Sequence, residues 1–393
     1  MKKKTGGIIR LIPGAIFMIA VFVMFALNLA EAAGNYKAQE DGAGLRSVVS
    51  DLESVDRVTY PFVNVNGLYQ NLMQRNYMYD ADSENDTIKT TRGQLASVSS
   101  SVSKKKMKAS VAELAETRDR LSAQGIPLLY VQAPGKLGFS EEGPMPGLEN
   151  NTYEKLNRFL AELDKADIEY VDTREWMSET GPDGFYDTDH HWTIETCFDI
   201  ASRLGSLLNS EYGFNINEEA LDASNYDFDT HKDAFLGAEG RRTGRYYAGL
   251  DDFTVITPAF DTDFHVEIES KETGHSERDG SFEETIMDST KDTVHYSFDD
   301  SAYYAYWGGD YGRAEAINNK IDDDSSIVVI KDSYGIPVTA FLTNMFHKVN
   351  VIDIRYYESD KKLRDVIAEA DPDMVMFIYG SGYLGKKKMF KIK

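Results

Sequence analysis

Ile327-Val328-Val329-Ile330-Lys331-Asp332-Ser333-Tyr334-Gly335 runs from four β-branched residues into a charged pair, a serine and a glycine. A strand that is apolar at every position hides both faces only in a sheet covered by helices on both sides. Residues 336–347 then carry the apolar spacing of a helix. Ser333 therefore falls where a buried strand turns into a helix. Such a turn exposes the hydroxyl at the sheet edge. It also aims the amides of the helix's first turn, that of Ser333 included, at whatever the hydroxyl attacks. Gly335 allows the backbone to turn tightly. Ser and Asp are equally the preferred helix caps, so on this segment alone a plain helix start stands beside the reactive one.

The pattern repeats outward. Residues 126–131, 168–171, 349–354 and 374–379 read as strands, and 101–124, 153–164, 193–208 and 361–370 as helices. Strands alternating with helices predict a three-layer α/β/α fold with a mainly parallel sheet, whose reactive groups gather at the carboxyl ends of the strands. Residues 210–325 break the alternation. They are rich in Asp, Gly, Thr and Tyr and carry short β-like runs, which predicts a β-rich insertion that roofs the site or holds substrate. Residues 34–100 read as a linker and a small N-terminal region in which 60–63 is one of several short apolar runs between turns. The main domain is then 101–393.

At the N-terminus, Lys2, Lys3, Lys4 and Arg10 precede an uncharged stretch from Leu11 to Ala30. That stretch is long enough to cross a bilayer, and the basic flank places residues 1–33 as a cytoplasmic tail and signal-anchor helix with the rest of the chain outside. Ala30-Glu31-Ala32 also fits a small-x-small cleavage site, and secretion after cleavage is the alternative. With 42 basic and 65 acidic residues the formal charge is −23, which argues against nucleic acid as a partner. Cys197 is the sole cysteine. No intrachain disulfide can form, and its helical setting predicts a buried, inert thiol.

The second chemical signal is Asp187-Thr188-Asp189-His190-His191-Trp192. A serine hydroxyl becomes a nucleophile when an imidazole takes its proton and a carboxylate orients the imidazole. Asp189 with His191, or Asp187 with His190, supplies such a pair, and Trp192 is placed to pack on the imidazole and exclude water. A polar loop capping the next helix is the bland alternative. Asp187, Asp189, His190 and His191 also make a carboxylate–imidazole set for zinc or manganese, although adjacent histidines seldom face one ion.

Asp189-His190-His191-Trp192 followed by Lys331-Asp332-Ser333-Tyr334-Gly335 resembles the DHHW proteins, relatives of the alginate O-acetylation proteins within the SGNH-hydrolase-like superfamily. Phe235-Leu236-Gly237, Gly240-Arg241-Arg242-Thr243-Gly244, Gly308-Gly309 and Ile352-Asp353-Ile354-Arg355-Tyr356-Tyr357 add to the likeness. The resemblance implies Ser333 as nucleophile, His191 as base and Asp189 as orienting carboxylate. Asp187 and His190 are then the second choice, fitting the more general D-x-x-H spacing. It implies O-acetyl transfer or ester hydrolysis on a cell-surface polysaccharide or wall polymer, without cofactor or metal. It further implies a multi-pass membrane acyltransferase as partner. Trp192, Tyr334, Arg355 and Gly309 are the supporting residues. Arg355 either binds an anionic group or forms a structural ion pair. Gly309, Asn318 and Asn319 are positional candidates for oxyanion donors, although Gly308-Gly309 is more simply a turn. A non-catalytic scaffold that binds polymer or assembles an export complex is the alternative from another class, and a metal-dependent hydrolase built on the Asp/His set is a third.

Overall fold

The computed structural model describes residues 56–80, 86–271, 274–291 and 293–392. A helix, Asp56–Leu72, leads into a small antiparallel sheet of β1 (Tyr77–Met78), β2 (Thr87–Lys89) and β3 (Leu95–Ser97). Residues 60–63, expected among turns, lie inside that helix. Pro61 sits near its start, where the missing N–H costs a single hydrogen bond. Among the described residues no helix is long and apolar enough to cross a membrane. The span expected over 11–30 lies outside the described residues.

The remaining strands are β4 (Leu128–Ala133), β5 (Tyr170–Asp172), β6 (Tyr226–Phe235), β7 (Asp251–Pro258), β8 (Phe264–Ser270), β9 (Gly274–Gly280), β10 (Arg313–Asn318), β11 (Ser326–Lys331), β12 (Lys348–Ile352) and β13 (Met374–Gly380). Eight of them form one sheet in the order β5-β4-β13-β11-β12-β10-β8-β9. β5, β4, β13, β11 and β12 are parallel; β10, β8 and β9 continue the sheet antiparallel. Part of the β-rich stretch at 210–325 is thus an extension of the sheet itself. β6 and β7 form a separate antiparallel ribbon.

The alternation of side chains across each strand builds two cores. Ile327 and Val329 of β11 join Leu129, Val131, Met376 and Ile378 on one face, under the helices Ile194–Tyr212 and Gly335–Leu342. Val328 and Ile330 face the other way with Tyr130, Val375 and Phe377, under Lys104–Ser122, Asn151–Lys165 and Leu363–Ala370. Helices cover both faces, which is why the β11 run needs no polar position. The helix after Ser333 stops at Leu342, short of the expected residue 347. Cys197 is fully buried in the first core, where desolvation raises its thiol pKa well above the ordinary value.

Candidate active site

Because five strands are parallel, their carboxyl ends lie along one edge. Ser333 follows β11, Gly380 closes β13 and Gly135 follows β4 at this edge. The turn after β11 is fastened by Asp332, which is buried. Its Oδ1 accepts from the N–H of Tyr334 (3.0 Å) and its Oδ2 from the N–H of Gly380 (2.7 Å). Burial raises the Asp332 carboxyl to about 6, although Arg355 and the two amides oppose it. Gly335 is required for space: a Cβ there would lie 2.6 Å from the Cβ of Lys331.

The Asp/His segment is a tight loop closed by a bridge between Phe185 and Trp192, and Thr193 caps the helix that follows. Asp251 on β7 anchors the loop by accepting from the N–H groups of Asp187 (2.7 Å) and Thr188 (2.8 Å) and from the Thr188 hydroxyl (2.6 Å). The loop delivers His191 to the serine. His191 Nε2 lies 2.7 Å from Ser333 Oγ, and His191 Nδ1 lies 2.6 Å from Asp189 Oδ1. Asp189 Oδ1 also accepts from the N–H of His191 (2.9 Å), and its Oδ2 accepts from the N–H of Ala238 (2.6 Å). Asp189 and His191 are both buried. Burial raises the Asp189 carboxyl, but His190, His191 and these hydrogen bonds outweigh it and hold the group well below the usual range. Burial and the neighbouring charge of His190 lower the His191 pKa against the pull of Asp189.

Other predicted residues occupy different places. Asp187 is exposed and does not pair with His190. His190 turns Nδ1 toward Asp189 Oδ1 (3.4 Å) and Glu239 Oε2 (3.6 Å). Burial lowers its pKa, but these two carboxylates raise it above the ordinary value overall. Three of the four residues considered for a metal, Asp189, His190 and His191, do come together. Both ring nitrogens of His191 are already hydrogen-bonded, to Asp189 and to Ser333. Trp192 does not stack on the imidazole: Tyr303 does, with ring centres 4.2 Å apart and planes at 15°. Trp192 instead donates from Nε1 to the carbonyl of Tyr334 (3.0 Å), and Tyr334 donates from its hydroxyl to the carbonyl of His190 (2.7 Å). The two segments are clasped in both directions.

Arg355 lines the cleft, yet its guanidinium is committed to Asp353 (2.5 Å) and Asp310 (2.8 Å), both of which also meet Lys331 (3.2 and 2.7 Å). Burial raises the Asp310 carboxyl, but Lys331 and Arg355 bring it down to about 2. The ion-pair reading of Arg355 is the one the contacts realise. Asn318 and Asn319 are not oxyanion donors for Ser333. In the β10–β12 register Ile317 lies opposite Lys348, which places them at the amino edge of the sheet. Gly308 and Gly309 form a positive-φ turn ahead of Asp310, outside the cleft lining. The helix amides are also largely taken. Tyr334 N–H goes to Asp332, Gly335 N–H to the Asp332 carbonyl and Ile336 N–H to the Ser333 carbonyl. The N–H of Ser333 is left with no acceptor among the described residues.

A cleft of about 500 Å³ opens over Ser333, lined by Ser97, Ser99, Lys136, His190, Glu239 and Arg242 among others. Glu239 and Arg242 come from the helix Ala238–Thr243, so a piece of the insertion walls the site. Lys136 is buried there and donates from Nζ to the carbonyls of Leu95 and Asp187 (3.2 Å to the latter), joining β3 to the Asp/His loop. Reasoning from sequence missed Ala238, Asp251, Glu239 and Tyr303. The signal available for the first and third was the glycine-rich run 237–244.

Residues 93–233 match the family model described as "SGNH hydrolase-like domain, acetyltransferase AlgX". The match includes the Asp/His loop and ends before Ser333. The fold is that of Bacillus cereus PatB1, whose structure with a sulfonyl adduct aligns with a TM-score of 0.64 at 19% identity, over 79% of this chain and 98% of that one. A DHHW family protein from Eubacterium siraeum aligns with a TM-score of 0.59 at 16% identity, over 81% of this chain and 98% of that one. No curated protein matches the chain in sequence.

Proposed function

We propose that this chain is a serine acyltransferase or esterase in which Ser333 is the nucleophile, His191 the base and Asp189 the carboxylate that orients it. The carrying observation is the unbroken chain from Asp189 Oδ1 through the His191 ring to Ser333 Oγ, at 2.6 and 2.7 Å. In the first half-reaction His191 Nε2 takes the Ser333 proton as Oγ attacks the carbonyl carbon of an acyl ester. The Ser333 N–H faces the oxyanion, and the leaving alkoxide receives the proton from His191. An acceptor hydroxyl, or water, then gives its proton to His191 and attacks the acyl carbon. Ser333 Oγ departs with that proton. A lowered His191 pKa keeps the ring neutral, as a base must be. Asp189 is held ionised and fixes the Nδ1–H tautomer.

Acetyl transfer to a cell-surface polysaccharide or wall polymer is the substrate reading, supported by the acetyltransferase family model over 93–233. The uncharged stretch 11–30 behind a basic flank supports a membrane anchor with the catalytic domain, 101–393, outside the cytoplasm. An acyl donor must then cross the bilayer, and a multi-pass membrane acyltransferase is the partner that would deliver it. PatB1 has been captured with a sulfonyl adduct, which suggests the test. A sulfonyl fluoride should add one adduct to the wild-type chain by intact mass and none to Ser333→Ala. Equal labelling of both would overturn the assignment of the nucleophile.

A further inference from the structure

His190 and Glu239 form a second carboxylate–imidazole pair beside the first, and the reaction described above does not use it. Glu239 is 1% exposed, and its Oε1 accepts from the Ser97 hydroxyl at 2.7 Å. Its Oε2 has no hydrogen-bond partner and points at His190 Nδ1 from 3.6 Å, while Arg242 approaches Oε1 at 3.4 Å. A buried carboxylate oxygen without a hydrogen-bond partner is costly, and the charge of the imidazole it faces offsets part of that cost. What it faces is an imidazole whose side chain is 42% exposed and lines the cleft with Ser333. Nδ1 is turned toward the two carboxylates, which leaves Nε2 for a ligand.

The spacing says which ligand. The rings of His190 and His191 lie 3.9 Å apart, centre to centre. Two imidazoles thus lie side by side, each backed by a carboxylate, His191 on Ser333 Oγ and His190 lining the cleft next to that serine. Adjacent hydroxyls on neighbouring carbons suit that spacing; a lone hydroxyl uses only one of the two.

We propose that His190, oriented by Glu239, is an acceptor-binding residue that selects a vicinal diol. One hydroxyl of the diol gives its proton to His191 and attacks the acyl-serine, while its neighbour is hydrogen-bonded by His190 Nε2. No proton leaves that second hydroxyl. This rests on the acyl-serine reading above and goes further by naming the acceptor's chemistry. A site built to hold a hydroxyl disfavours analogues that lack it, because the polar group is then left unpaired.

The test uses the full-length protein in detergent with p-nitrophenyl acetate as donor. Transfer to cis-1,2-cyclohexanediol or to cyclohexanol is measured relative to hydrolysis within each variant, so that any loss of overall activity cancels. Wild type should favour the diol by about tenfold or more. His190→Gln should bring the two acceptors to parity, and Glu239→Gln should reduce the preference. No preference in the wild type overturns the proposal, and so does a preference that survives His190→Gln. The wild-type comparison holds even if the variants fold poorly. Equal sulfonyl labelling of the wild type and Ser333→Ala would instead bring down the acyl-serine reading and this proposal with it.

Discussion

Gly237 lies so close to Asp189 that a Cβ at this position would stand 2.6 Å from the Asp189 Cα and 2.5 Å from its Oδ2. The same approach brings the neighbouring amide, Ala238, to 2.6 Å from that oxygen. The glycine is needed for this contact with the carboxylate rather than for an unusual backbone angle, since its φ is −74°. Gly237→Ala should therefore push Asp189 and its imidazole off Ser333. A displacement on the order of 1 Å costs about 100-fold in rate, and overpacking should cost about 1–3 kcal/mol in stability. Ester turnover and urea denaturation of the same preparation measure both. Wild-type turnover in Gly237→Ala would show that Asp189 does not need its present position.

The pH dependence follows from His191. As the base of the proposed reaction it acts when neutral, so the rate should rise with pH through its pKa. Burial and the charge of His190 lower that pKa from the ordinary 6.5. The acid limb of kcat/KM should accordingly lie below pH 6.5. Removing the neighbouring charge in His190→Gln should move the limb toward higher pH, because one of the two lowering influences is gone. A limb that stays in place, or moves down, would show that His190 does not act electrostatically on the base.

Much of this arrangement was legible in the chain. The β11 run and the Asp/His segment each carry a local signature: β-branched residues without a polar break, and carboxylates and imidazoles packed into six positions. The parallel strands and most covering helices follow from the same alternation. Contacts that depend on two distant backbones meeting were not legible. Nothing local in Ala238 marks its amide as a donor to Asp189, and Tyr303 is one of 23 tyrosines until the fold stacks it on His191. The helix amides were misjudged for a related reason. A helix cap is only the alternative that Asp332 and Ser333 offer in sequence, and nothing local shows that the Asp332 carboxylate takes the Tyr334 N–H and ties the turn to β13.

Beneath the serine, Lys331 and Arg355 meet Asp310 and Asp353 in a group with two charges of each sign. Lys331 and Asp353 are fully buried, so removing one member leaves an uncompensated charge. Asp353→Ala should cost about 3–5 kcal/mol, and a paired replacement of Lys331 and Asp353 by apolar residues of similar size should cost much less. Asp310 adds a pH signature. Its carboxyl drops from 3.8 to about 2 in the folded chain. Its stabilisation is thus full above the unfolded value and is lost as pH falls through about 2. Chemical denaturation between pH 2 and 6 in the wild type and Asp310→Asn reads this directly. Parallel curves would remove Asp310 from the account.

Trp192 and Tyr334 hold the Asp/His loop and the Ser333 turn together across 142 residues of sequence, each bonding to the backbone of the other's segment. Tyr334→Phe keeps the ring and deletes one bond; Trp192→Phe deletes the other along with part of a buried side chain. The first should cost about 1 kcal/mol and the second about 1–3 kcal/mol, since it also opens space in the core. The two bonds fix one relative placement of His191 and Ser333, so their losses should not add. After the first is removed the second restrains less, and a double-mutant cycle on ester turnover should give a coupling of about 0.5–3 kcal/mol. Additive losses of turnover would mean that the two bonds act independently, and unchanged turnover in both variants, folded by near-ultraviolet circular dichroism, would mean that the clasp supports stability alone.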